Sequence, residues 1–357
     1  MKFAGIDIGG ANIKLATVDG ISTQLAFPIW KEKCRLPDVL CQIAKTLPPD
    51  TLVGITMTAE LADCFTTRQT GVEFIVQAAS KAFSQHHPLF YQTNGSMCCA
   101  QTAIRQWRTV AASNWHALAR LGFSESEPKS GFVFDIGSTT SDIIPVVNGW
   151  PVVGEQDDLQ RLGNGQLFYA GVGRTPVCSI ISTFQLETGI VTIARELFAT
   201  MADVFLWLGQ PTTGTSAHDA ACPDATSIET ADGRPATKQF AGQRLARMVC
   251  SDLLELGPNQ IDEIASQTKQ SLIRKLAGSL SQVLGDHQEI PLVFKSFGQG
   301  AWLVNEVVEH ALVDKQDCLA TVVPFSSDPR QNQTAPALAV ALRRQQNYHS
   351  EVTPTDE

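Results

Sequence analysis

The sequence has no long apolar run, no cluster of basic residues and no cysteine–histidine spacing of the zinc type. No apolar run approaches the roughly 18 residues that a membrane-spanning helix requires, so a membrane protein is not expected. The formal net charge is −9, which argues against a nucleic-acid partner because phosphate neutralisation requires clustered Lys and Arg. The chain begins with a strand-like apolar segment instead of a signal peptide, which predicts a cytoplasmic protein.

The cysteines do not indicate a disulfide framework. They number nine, an odd count, and are scattered along the chain. Cys98 and Cys99 are adjacent rather than spaced as in a Cys-x-x-Cys motif. We therefore expect reduced, mostly buried thiols in a cytoplasmic protein. No Ser/His/Asp or Cys/His arrangement that would indicate a catalytic nucleophile stands out either.

Two copies of one strand–turn–strand pattern are the most informative feature present. The first copy is residues 5–14, GIDIGGANIK, which continue to the turn dipeptide Asp19-Gly20. The second is residues 134–142, FDIGSTTSD, which continue to Asn148-Gly149. Asp-Gly and Asn-Gly are typical of tight hairpin turns, and each copy therefore predicts an apolar strand, a glycine turn and a returning strand.

One offset aligns the chemical groups of the two copies: Asp7 with Asp135, Gly9 with Gly137, and Lys14 with Asp142. A glycine turn lets the backbone approach an anion, with its N–H groups pointing at phosphate oxygens. An Asp at the strand end can hold Mg²⁺ beside those oxygens, or it can cap its own turn. The candidate phosphate-binding residues are Gly9, Gly10, Asn12, Gly137, Ser138, Thr139 and Thr140.

This duplicated turn resembles the actin, sugar kinase and Hsp70 superfamily. The resemblance implies an α/β protein with two ribonuclease H-like lobes and a central cleft, the actin-like ATPase fold. A chain of 357 residues with 43% hydrophobic content agrees with two domains. We expect an N-terminal lobe over residues 1–130 and a C-terminal lobe over 131–345. A loop insertion near 210–237 and a disordered tail over 346–357 complete the predicted organisation.

Hydrophobic periodicity and breaker residues give a coarse secondary structure. Residues 3–29 read as three strands of a meander. Further strands are predicted at 52–57, 89–91, 290–297 and 320–323. Helices are predicted at 37–46, 70–84, 96–107, 113–121, 193–208, 238–256, 259–285, 301–311 and 335–346.

The junction Phe297-Gly298-Gln299-Gly300 between a strand and a helix is a third element of the superfamily pattern. There, the resemblance implies a turn that supports the adenosine part of a nucleotide, with Gly298 and Gly300 as ligand-contacting residues. A glycine before a helix is also common without any ligand. Ser296 and Gln299 depart from the commonest kinase form, so adenosine binding stays open.

Several further stretches resemble a narrower family. They are residues 56–63 (TMTAELAD), 169–177 (YAGVGRTPV), 202–205 (ADVF), 230–237 (TADGRPAT) and 244–250 (RLARMVC). Together with the N-terminal motif they are similar to tetrahydromethanopterin-linked one-carbon-transfer proteins of the hydantoinase A/oxoprolinase branch. Archaeal members of that family act as synthases in methanofuran biosynthesis. Ala59 departs from the Gly that the family more often has there.

The resemblance implies a reaction with a pyrophosphate leaving group. A pyrophosphorylated aminomethylfuran would condense with the phenol of a glutamyl-tyramine to form an ether, with Mg²⁺ neutralising the departing pyrophosphate. The same turns would hold ATP equally well. The alternatives are an ATP-dependent amide-ring hydrolase of the hydantoinase/oxoprolinase type and a non-catalytic nucleotide-binding protein. The expected partners are small-molecule substrates, and a homo-oligomer is compatible with the sequence.

Candidate roles for the first half of the chain centre on carboxylates. Asp7 and Asp135 are predicted to coordinate Mg²⁺. Lys14 is predicted to reach a phosphate, with a solvated edge-strand lysine as the alternative. Glu60 follows a strand and could deprotonate a phenol or water, with helix-start capping as its rival.

The second half of the chain contributes candidate substrate-binding residues, namely Arg174, Asp232 and Arg234. Arg pairs bidentately with phosphate or carboxylate, and an ordinary ion pair or a structural turn is the alternative. Asp142 is interpreted as a second metal-facing carboxylate or a surface residue. Asp203 and His218 are weaker candidates for a base, and the helical setting of Asp203 favours a structural role.

Overall fold

The computed structural model describes residues 1–123, 128–152, 157–209, 227, 229–313 and 319–352, and the side chains up to residue 351. The chain divides into two units, each with its own core. Unit 1 comprises residues 1–129, 148–151 and 333–357, and unit 2 comprises 130–147 and 152–332. His218 and most of the insertion predicted near 210–237 lie outside the described residues.

The strands of the described chain follow the predicted meander and the later predicted strands closely. In chain order they are β1 (Lys2–Ile8), β2 (Asn12–Thr17), β3 (Ser22–Ala26), β4 (Thr51–Met57), β5 (Leu89–Tyr91), β6 (Met97–Cys98), β7 (Gly131–Ile136), β8 (Ser141–Val147), β9 (Trp150–Pro151), β10 (Leu167–Phe168), β11 (Thr183–Leu186), β12 (Gly189–Thr192), β13 (Val293–Phe297) and β14 (Thr321–Pro324).

The α-helices are placed between these strands and at the C-terminal end. They are α1 (Ile29–Glu32), α2 (Leu36–Thr46), α3 (Arg68–Ala82), α4 (Ala100–Arg105), α5 (Trp107–Val110), α6 (Asn114–Gly122), α7 (Asp158–Gly163), α8 (Val177–Ile180), α9 (Met201–Leu208), α10 (Lys238–Arg247), α11 (Leu253–Asp286), α12 (Val304–Ala311) and α13 (Pro329–Val352). Short 3₁₀ turns lie at Lys33–Arg35, Ala59–Leu61, Ser84–His86 and Ala301–Leu303.

The main sheets of the two units share one strand order. In unit 1 the order is β3-β2-β1-β4-β5-β6, with β1, β2 and β3 antiparallel and β1, β4 and β5 parallel. In unit 2 the order is β10-β8-β7-β13-β14, again with an antiparallel meander on one side and parallel strands on the other. Each sheet is therefore ribonuclease H-like, and the predicted α/β fold class is confirmed.

The core of unit 1 lies on both faces of its sheet. Every residue of β4 is buried, as expected for a parallel strand covered on both sides. Helix α3 turns its apolar stripe inwards, and Val72, Ile75 and Val76 have no exposed surface, as their helical spacing predicts. Thr67 and Thr70 form a capping box that fixes the start of this helix.

The core of unit 2 is built around the long helix α11. Its buried stripe runs from Ile261 to Leu284 and packs against the sheet and against α9, α10 and α12. The backbone leaves helical geometry at Gly257, which has a φ of 70°, and Pro258 starts the following segment. The sequence predicts this break, because it places separate helices on the two sides of residue 257.

The C-terminal helix corrects the predicted tail. Residues 346–352 belong to α13, so the prediction of disorder from residue 346 is wrong there, and residues 353–357 lie outside the described part. Gly5 and Gly54 in the sheet leave room for the backbone of this helix at Ala337 and Val340. Residues 333–352 therefore pack in unit 1 rather than continuing the C-terminal lobe that was expected to end at residue 345.

Several other expectations differ from the structure. The helix predicted over 96–107 is replaced by β6 and the short helices α4 and α5, and the helix predicted over 238–256 is interrupted between Arg247 and Leu253. The helix predicted over 193–208 begins only at Met201, and a two-stranded ribbon of β11 and β12 precedes it. The described cysteines form no disulfide, but all are half-buried or exposed rather than mostly buried. Within the described residues, no helix is both long and apolar enough to cross a membrane.

Candidate functional site

The turn of the first hairpin presents unused backbone donors. Gly9 N–H donates to the Asn12 carbonyl over 2.9 Å and closes the turn. The carbonyl groups of Gly10 and Ala11 accept hydrogen bonds from the chain that follows β3. Within the described residues, the N–H groups of Gly10 and Ala11 donate to no acceptor. A glycine turn with held carbonyls and free N–H groups is suited to an anion.

The turn of the second hairpin has the same arrangement. Gly137 N–H donates to the Thr140 carbonyl over 2.8 Å. The carbonyl of Gly137 accepts from Val172 N–H at 3.0 Å, and that of Ser138 accepts two further N–H groups. The N–H groups of Ser138 and Thr139 donate to no acceptor among the described residues. The duplicated sequence pattern thus folds into duplicated donor sites.

Asp7 lies one residue before the first turn and is 1% exposed. Its Oδ2 is 3.3 Å from Nζ of Lys14, the residue directly opposite on β2. Its Oδ1 is buried and has no hydrogen-bond partner. Burial raises the pKa of Asp7, and the Lys14 ammonium opposes that rise. Lys14 is predicted to reach a phosphate, whereas in this structure its ammonium group contacts Asp7.

Asp135 occupies the same position in the second hairpin but has a different neighbour. It is half-buried, and the residue opposite on β8 is Asp142. Asp142 is not the surface residue that was one of its two predicted roles, because it is buried in an ion pair with Arg161. Arg161 is itself 3% exposed and also contacts Asp158. The second hairpin thus has two carboxylates opposite each other, one of them paired with Arg161, where the first has a carboxylate paired with a lysine.

The predicted glycine junction meets Asp135 directly. A side chain at Gly298, whose φ is +84°, would collide with Oδ1 of Asp135, and one at Gly300 would collide with Ile136. The N–H of Gly298 donates to Asn332 and that of Gly300 donates to Ile136. These two N–H groups are already used within unit 2, so the glycines serve close packing around Asp135. Their predicted contact with a phosphate or nucleotide stays a prediction.

The stretch 169–176 is packed against the second turn. Its Val172, Gly173 and Arg174 N–H groups donate to the carbonyls of the turn. A side chain at Gly171 would meet the backbone of residues 137–139, so this position requires glycine. Arg174, predicted to bind substrate, is exposed at this place. The structure therefore brings a predicted substrate residue next to predicted phosphate donors.

Asp203, Arg244 and Asp232 form a chain of ion pairs. Arg244 is 1% exposed, and its Nε donates to Oδ1 of Asp203 over 2.8 Å. Its Nη1 lies 3.1 Å from Oδ1 of Asp232. Asp203 also accepts from Thr200 N–H at the start of α9, in a capping box. Asp203 is thus a structural residue, as its helical setting predicts.

Asp232 and Arg234, both predicted to bind substrate, contact each other. Arg234 Nε donates to Oδ2 of Asp232 over 2.7 Å, and its Nη1 donates to Gln243 over 2.6 Å. The guanidinium also lies 4.9 Å from the ring centroid of Phe240. These contacts stabilise a structural turn, which is the alternative interpretation of this motif. Substrate binding by either residue stays a prediction.

Glu60 lies in the 3₁₀ turn after β4, and its side chain has no exposed surface. Its Oε1 is 3.2 Å from Nη2 of Arg68, the first residue of α3. The cap of α3 is Thr67, so the capping role considered for Glu60 is wrong. A fully buried, ion-paired carboxylate is poorly placed to take a proton from a substrate.

The carboxylates of the two hairpins suit a Mg²⁺ ion that the protein holds through only one or two carboxylates. No group of three or more His, Cys, Asp or Glu residues in the described chain could enclose a metal ion. Mg²⁺ is usually held by one or two carboxylates together with substrate phosphates and water. The buried, unpartnered Oδ1 of Asp7 is an oxygen that such an ion would satisfy. Magnesium at Asp7 and Asp135 therefore stays a prediction with compatible chemistry.

The sequence alone does not identify three buried or half-buried arginines that hold carboxylates near the candidate site, namely Arg68, Arg161 and Arg244. Each neutralises a buried carboxylate close to a motif. The only sequence signal was indirect, since Arg244 opens one of the family-like stretches. Burial of an arginine is rare without a paired acid, but sequence spacing does not identify the acid.

The chain is similar to a known protein family and to two proteins of known name. The model of the family described as hydantoinase/oxoprolinase matches residues 51–311. A protein of Methanocaldococcus jannaschii is 30% identical over 345 residues, covering 96% of this chain and 97% of its own length. It is named (4-{4-[2-(gamma-L-glutamylamino)ethyl]phenoxymethyl}furan-2-yl)methanamine synthase. A Methanococcus vannielii protein of the same name is 31% identical over 160 residues, covering 45% of this chain and 67% of its own length.

Solved structures include more distant matches. The archaeal actin homologue Ta0583 is 14% identical and covers 98% of this chain and 100% of its own, with a TM-score of 0.44. Similarity at that level says nothing about ligand or activity. The two synthases are enzymes by name, and this chain shares nearly the full length of the first.

Proposed function

The chain belongs to the hydantoinase/oxoprolinase family, and we propose that it is a transferase that condenses a pyrophosphorylated aminomethylfuran with a phenolic acceptor. Its relatives' names support an enzymatic role in the biosynthesis of a methanofuran-type cofactor. The compound in those names is an aryl ether in which a phenol oxygen is joined to a methylene group on a furan. Formation of that ether is the step that we assign to this chain.

The proposed reaction is a displacement at the methylene carbon. The phenol oxygen forms a new C–O bond to this carbon, and the C–O bond to pyrophosphate breaks. The bonding electron pair leaves with the pyrophosphate, and the phenolic proton passes to water. Glu60 is not assigned as the base because its side chain is buried against Arg68. Charge on the leaving group grows during the step, so anion stabilisation is the main demand on the protein.

The observation that carries the proposal is the pair of donor turns. Gly10 and Ala11 in unit 1, and Ser138 and Thr139 in unit 2, offer N–H groups that no described residue accepts. Backbone donors of this kind are fixed in place by the fold and require no rearrangement when charge develops. Each turn by itself suits a phosphoryl group.

Magnesium would be held by Asp7 and Asp135, and when bound it would neutralise negative charge on the leaving pyrophosphate. Lys14 would share this electrostatic role, since its ammonium is already directed into the first hairpin beside Asp7. The ion pair of Asp142 with Arg161 removes one competing negative charge from the second hairpin. These residues bind and orient the anion, and none of them exchanges a proton in the proposed step.

An ATP-dependent amide-ring hydrolase is the second candidate, favoured by the description of the matching family model. The donor turns would accept the phosphates of ATP as well as pyrophosphate. Isothermal titration with Mg²⁺–pyrophosphate and, separately, with Mg²⁺–ATP distinguishes the two. Binding of pyrophosphate without ATP supports the transferase, whereas tight ATP binding with ATP turnover on cyclic amides supports the hydrolase.

The direct test is condensation by the purified full-length chain. Furan donor, γ-glutamyltyramine and Mg²⁺ should give the ether and one equivalent of pyrophosphate, both measured by mass spectrometry and a phosphate assay. Asp135→Asn should reduce turnover by at least about a hundredfold while leaving the chain folded. It should also lower binding of Mn²⁺, measured by electron paramagnetic resonance. Unchanged turnover and Mn²⁺ binding in this variant would contradict the metal assignment.

A further inference from the structure

The two free donors of the second phosphate turn, residues 137–140, belong to peptide groups that are held from behind. These donors are the N–H groups of Ser138 and Thr139, which donate to no acceptor among the described residues. The Ser138 N–H shares a peptide group with the Gly137 carbonyl, and the Thr139 N–H shares the next one with the Ser138 carbonyl. In a trans peptide the N–H and C=O bonds point in opposite directions, so a held carbonyl fixes the direction of its donor.

Residues 170–175, the backing loop, hold both of these carbonyls. The Val172 N–H donates to the Gly137 carbonyl over 3.0 Å. The Ser138 carbonyl accepts the N–H groups of Gly173 and Arg174, over 3.0 and 2.9 Å. A peptide whose carbonyl accepts a hydrogen bond is also a stronger N–H donor, because hydrogen bonds in a chain polarise one another. The backing loop therefore both orients and strengthens the donors of the turn.

Thr175 closes the backing loop through its side chain. The residue is 6% exposed, and its hydroxyl oxygen accepts the Gly171 N–H over 2.8 Å. Its carbonyl accepts the N–H of Met201, the first residue of α9, over 2.8 Å. The Ala202 N–H donates to the Gly173 carbonyl over 2.9 Å. Thr175 thus joins the two ends of the backing loop to each other and, with Gly173, attaches the loop to the start of a helix.

The backing loop is packed directly against the turn. A side chain at Gly171 would collide with the Gly137 carbonyl, and one at Gly173 would collide with the side chain of Ser138. The Ser141 hydroxyl donates to the Ala170 carbonyl over 2.8 Å and fixes the other end of the loop to β8. A displacement of the loop is therefore passed on to the turn.

We propose that Thr175 is a positioning residue for the leaving group: through the backing loop it keeps the two free N–H groups of the second phosphate turn directed at a phosphoryl group. Thr175 acts on the turn and contacts no substrate itself. The inference rests on the proposed function for its ligand, the pyrophosphate ester of the furan. Without the hydroxyl, the buried Gly171 N–H loses its acceptor, and the loop has to shift to satisfy it.

The first test is the binding of inorganic pyrophosphate with Mg²⁺ to the full-length chain, measured by titration calorimetry. Thr175→Val removes the hydroxyl and keeps the branched shape, whereas Thr175→Ser keeps a hydroxyl. We expect Thr175→Val to weaken pyrophosphate binding on the order of tenfold, because one buried hydrogen bond is lost and the donors are displaced. Thr175→Ser should bind pyrophosphate within about twofold of the unaltered chain, because it restores the acceptor.

Steady-state condensation separates positioning from a loss of folded protein. In Thr175→Val, kcat/KM for the furan ester should fall on the order of 10- to 100-fold, because small misplacements of binding groups are costly. KM for the phenolic acceptor should not change, since the proposed contacts of the turn are with pyrophosphate. A loss of folded molecules alone would lower kcat and leave the KM values of both substrates unchanged.

Thr268→Val is the matched control. Thr268 has no exposed surface, and its hydroxyl donates to the Ile264 carbonyl over 2.8 Å within α11. The same substitution therefore removes a buried hydroxyl from unit 2 without altering the backing loop. It should leave pyrophosphate affinity and the KM for the furan ester unchanged, even if the free energy of unfolding falls.

The possible results distinguish this role from the proposed function. Unchanged pyrophosphate affinity in Thr175→Val overturns the positioning role, and ether formation by that variant then leaves the proposed function intact. Weaker binding that Thr175→Ser restores supports the role, and a failure to form ether would then overturn the proposed function alone. Absence of pyrophosphate binding by the unaltered chain overturns both.

Thr175→Ala covers the case in which Thr175→Val does not fold, because it removes the same hydroxyl with a smaller side chain. Circular dichroism shows whether each variant is folded. A folded Thr175→Ala chain should show the same weakened pyrophosphate binding. Unfolding of both variants would make Thr175 a structural residue and overturn the positioning role.

Discussion

The ammonium group of Lys14 lies 3.3 Å from Oδ2 of Asp7, directly across the strands of the first hairpin. The lysine side chain is 25% exposed, whereas that of Asp7 is 2% exposed. Lys14 is therefore the solvent-facing member of a pair whose other member is buried. The pair stabilises a carboxylate that the fold holds at the edge of a donor turn.

Replacing Lys14 with Met should destabilise the chain by about 1–3 kcal/mol, because Asp7 would stay buried without its counter-ion. The partial exposure of Lys14 keeps this value below that of a fully buried pair. In the double variant Asp7→Asn/Lys14→Met most of the stability should return, since no buried charge is left. Urea unfolding measures both, and equal stability of Lys14→Met and the unaltered chain would contradict the argument.

Gly171→Ala should displace the second phosphate turn. The added methyl group would meet backbone atoms of residues 137–139, including Thr139 N at 2.8 Å, and backbone moves less readily than a side-chain end. We expect a loss of about 1–3 kcal/mol in stability and at least a tenfold weaker affinity for Mg²⁺–pyrophosphate.

Gly278→Ala is the control for the same substitution, since this residue lies within α11 and has open space around it. Alanine should stabilise the helix there by up to about 1 kcal/mol and leave pyrophosphate binding unchanged. Thermal unfolding and calorimetric titration report the two effects. If Gly171→Ala and Gly278→Ala lowered the affinity for Mg²⁺–pyrophosphate equally, displacement of the second phosphate turn would not be the cause.

His116 should make the stability of the chain depend on pH. Its ring is 3% exposed, its Nδ1 is 2.8 Å from the Tyr91 hydroxyl, and burial together with the charge of Arg120 lowers its pKa to about 3. The unfolded chain takes up a proton below about pH 6.5, but the folded chain stays neutral. Stability should therefore fall with decreasing pH, by about 2 kcal/mol between pH 6.5 and 5.

Urea unfolding at several pH values checks this dependence, with His116→Gln as the reference. The glutamine does not titrate, so its stability should change less between pH 6.5 and 5 than that of the unaltered chain. Parallel curves for the two proteins would show that other groups cause the dependence.

Arg244→Met should be one of the more damaging single substitutions in unit 2. It leaves Asp203 buried without its counter-ion and removes one of the two arginines that bind Asp232, which predicts a loss of about 3–5 kcal/mol. Arg247→Met on the same helix is the comparison, because Arg247 is exposed and should cost no more than about 0.5 kcal/mol. A similar loss in both variants would indicate helix propensity rather than the ion-pair chain as the cause.

Local patterns in the sequence were sufficient to predict the two hairpins. Asn148 and Gly149 have φ values of 52° and 74°, as an Asn-Gly hairpin turn requires. Val72 and Ile75 are buried because their spacing places them on one helix face. In each case, the residues that decide the structure are within a few positions of one another.

Pairings across the fold could not be predicted in this way. From the sequence, Asp142 is expected to be exposed or metal-facing. In the structure, α7 places Arg161 against it, and the sequence alone does not show this contact. Glu60 and Arg68 are eight residues apart and meet only because α3 starts beside the turn that follows β4. Such pairs depend on how the helices and strands pack in three dimensions, and a single sequence does not show this packing directly.

The C-terminal helix illustrates the same difficulty for a whole segment. Its residues 346–352 are mostly polar and therefore resemble a tail. The rings of Tyr348 and His349 nevertheless lie 5.8 Å and 6.1 Å from that of Phe3 on β1. The glycines at Gly5 and Gly54 let the backbone of this helix approach the sheet closely, and its buried Ala337, Val340 and Ala341 pack there as well.

That docking has a consequence for synthesis on the ribosome. The sheet of unit 1 is complete within the first hundred residues, but most of the helix that covers Gly5 and Gly54 is translated only after the residues of unit 2. Unit 2 is formed almost entirely from residues translated in between. A chain released after residue 332 would contain all of unit 2 but would lack most of the helix that covers the sheet of unit 1, so unit 2 can be completed before the N-terminal unit, the reverse of the usual order.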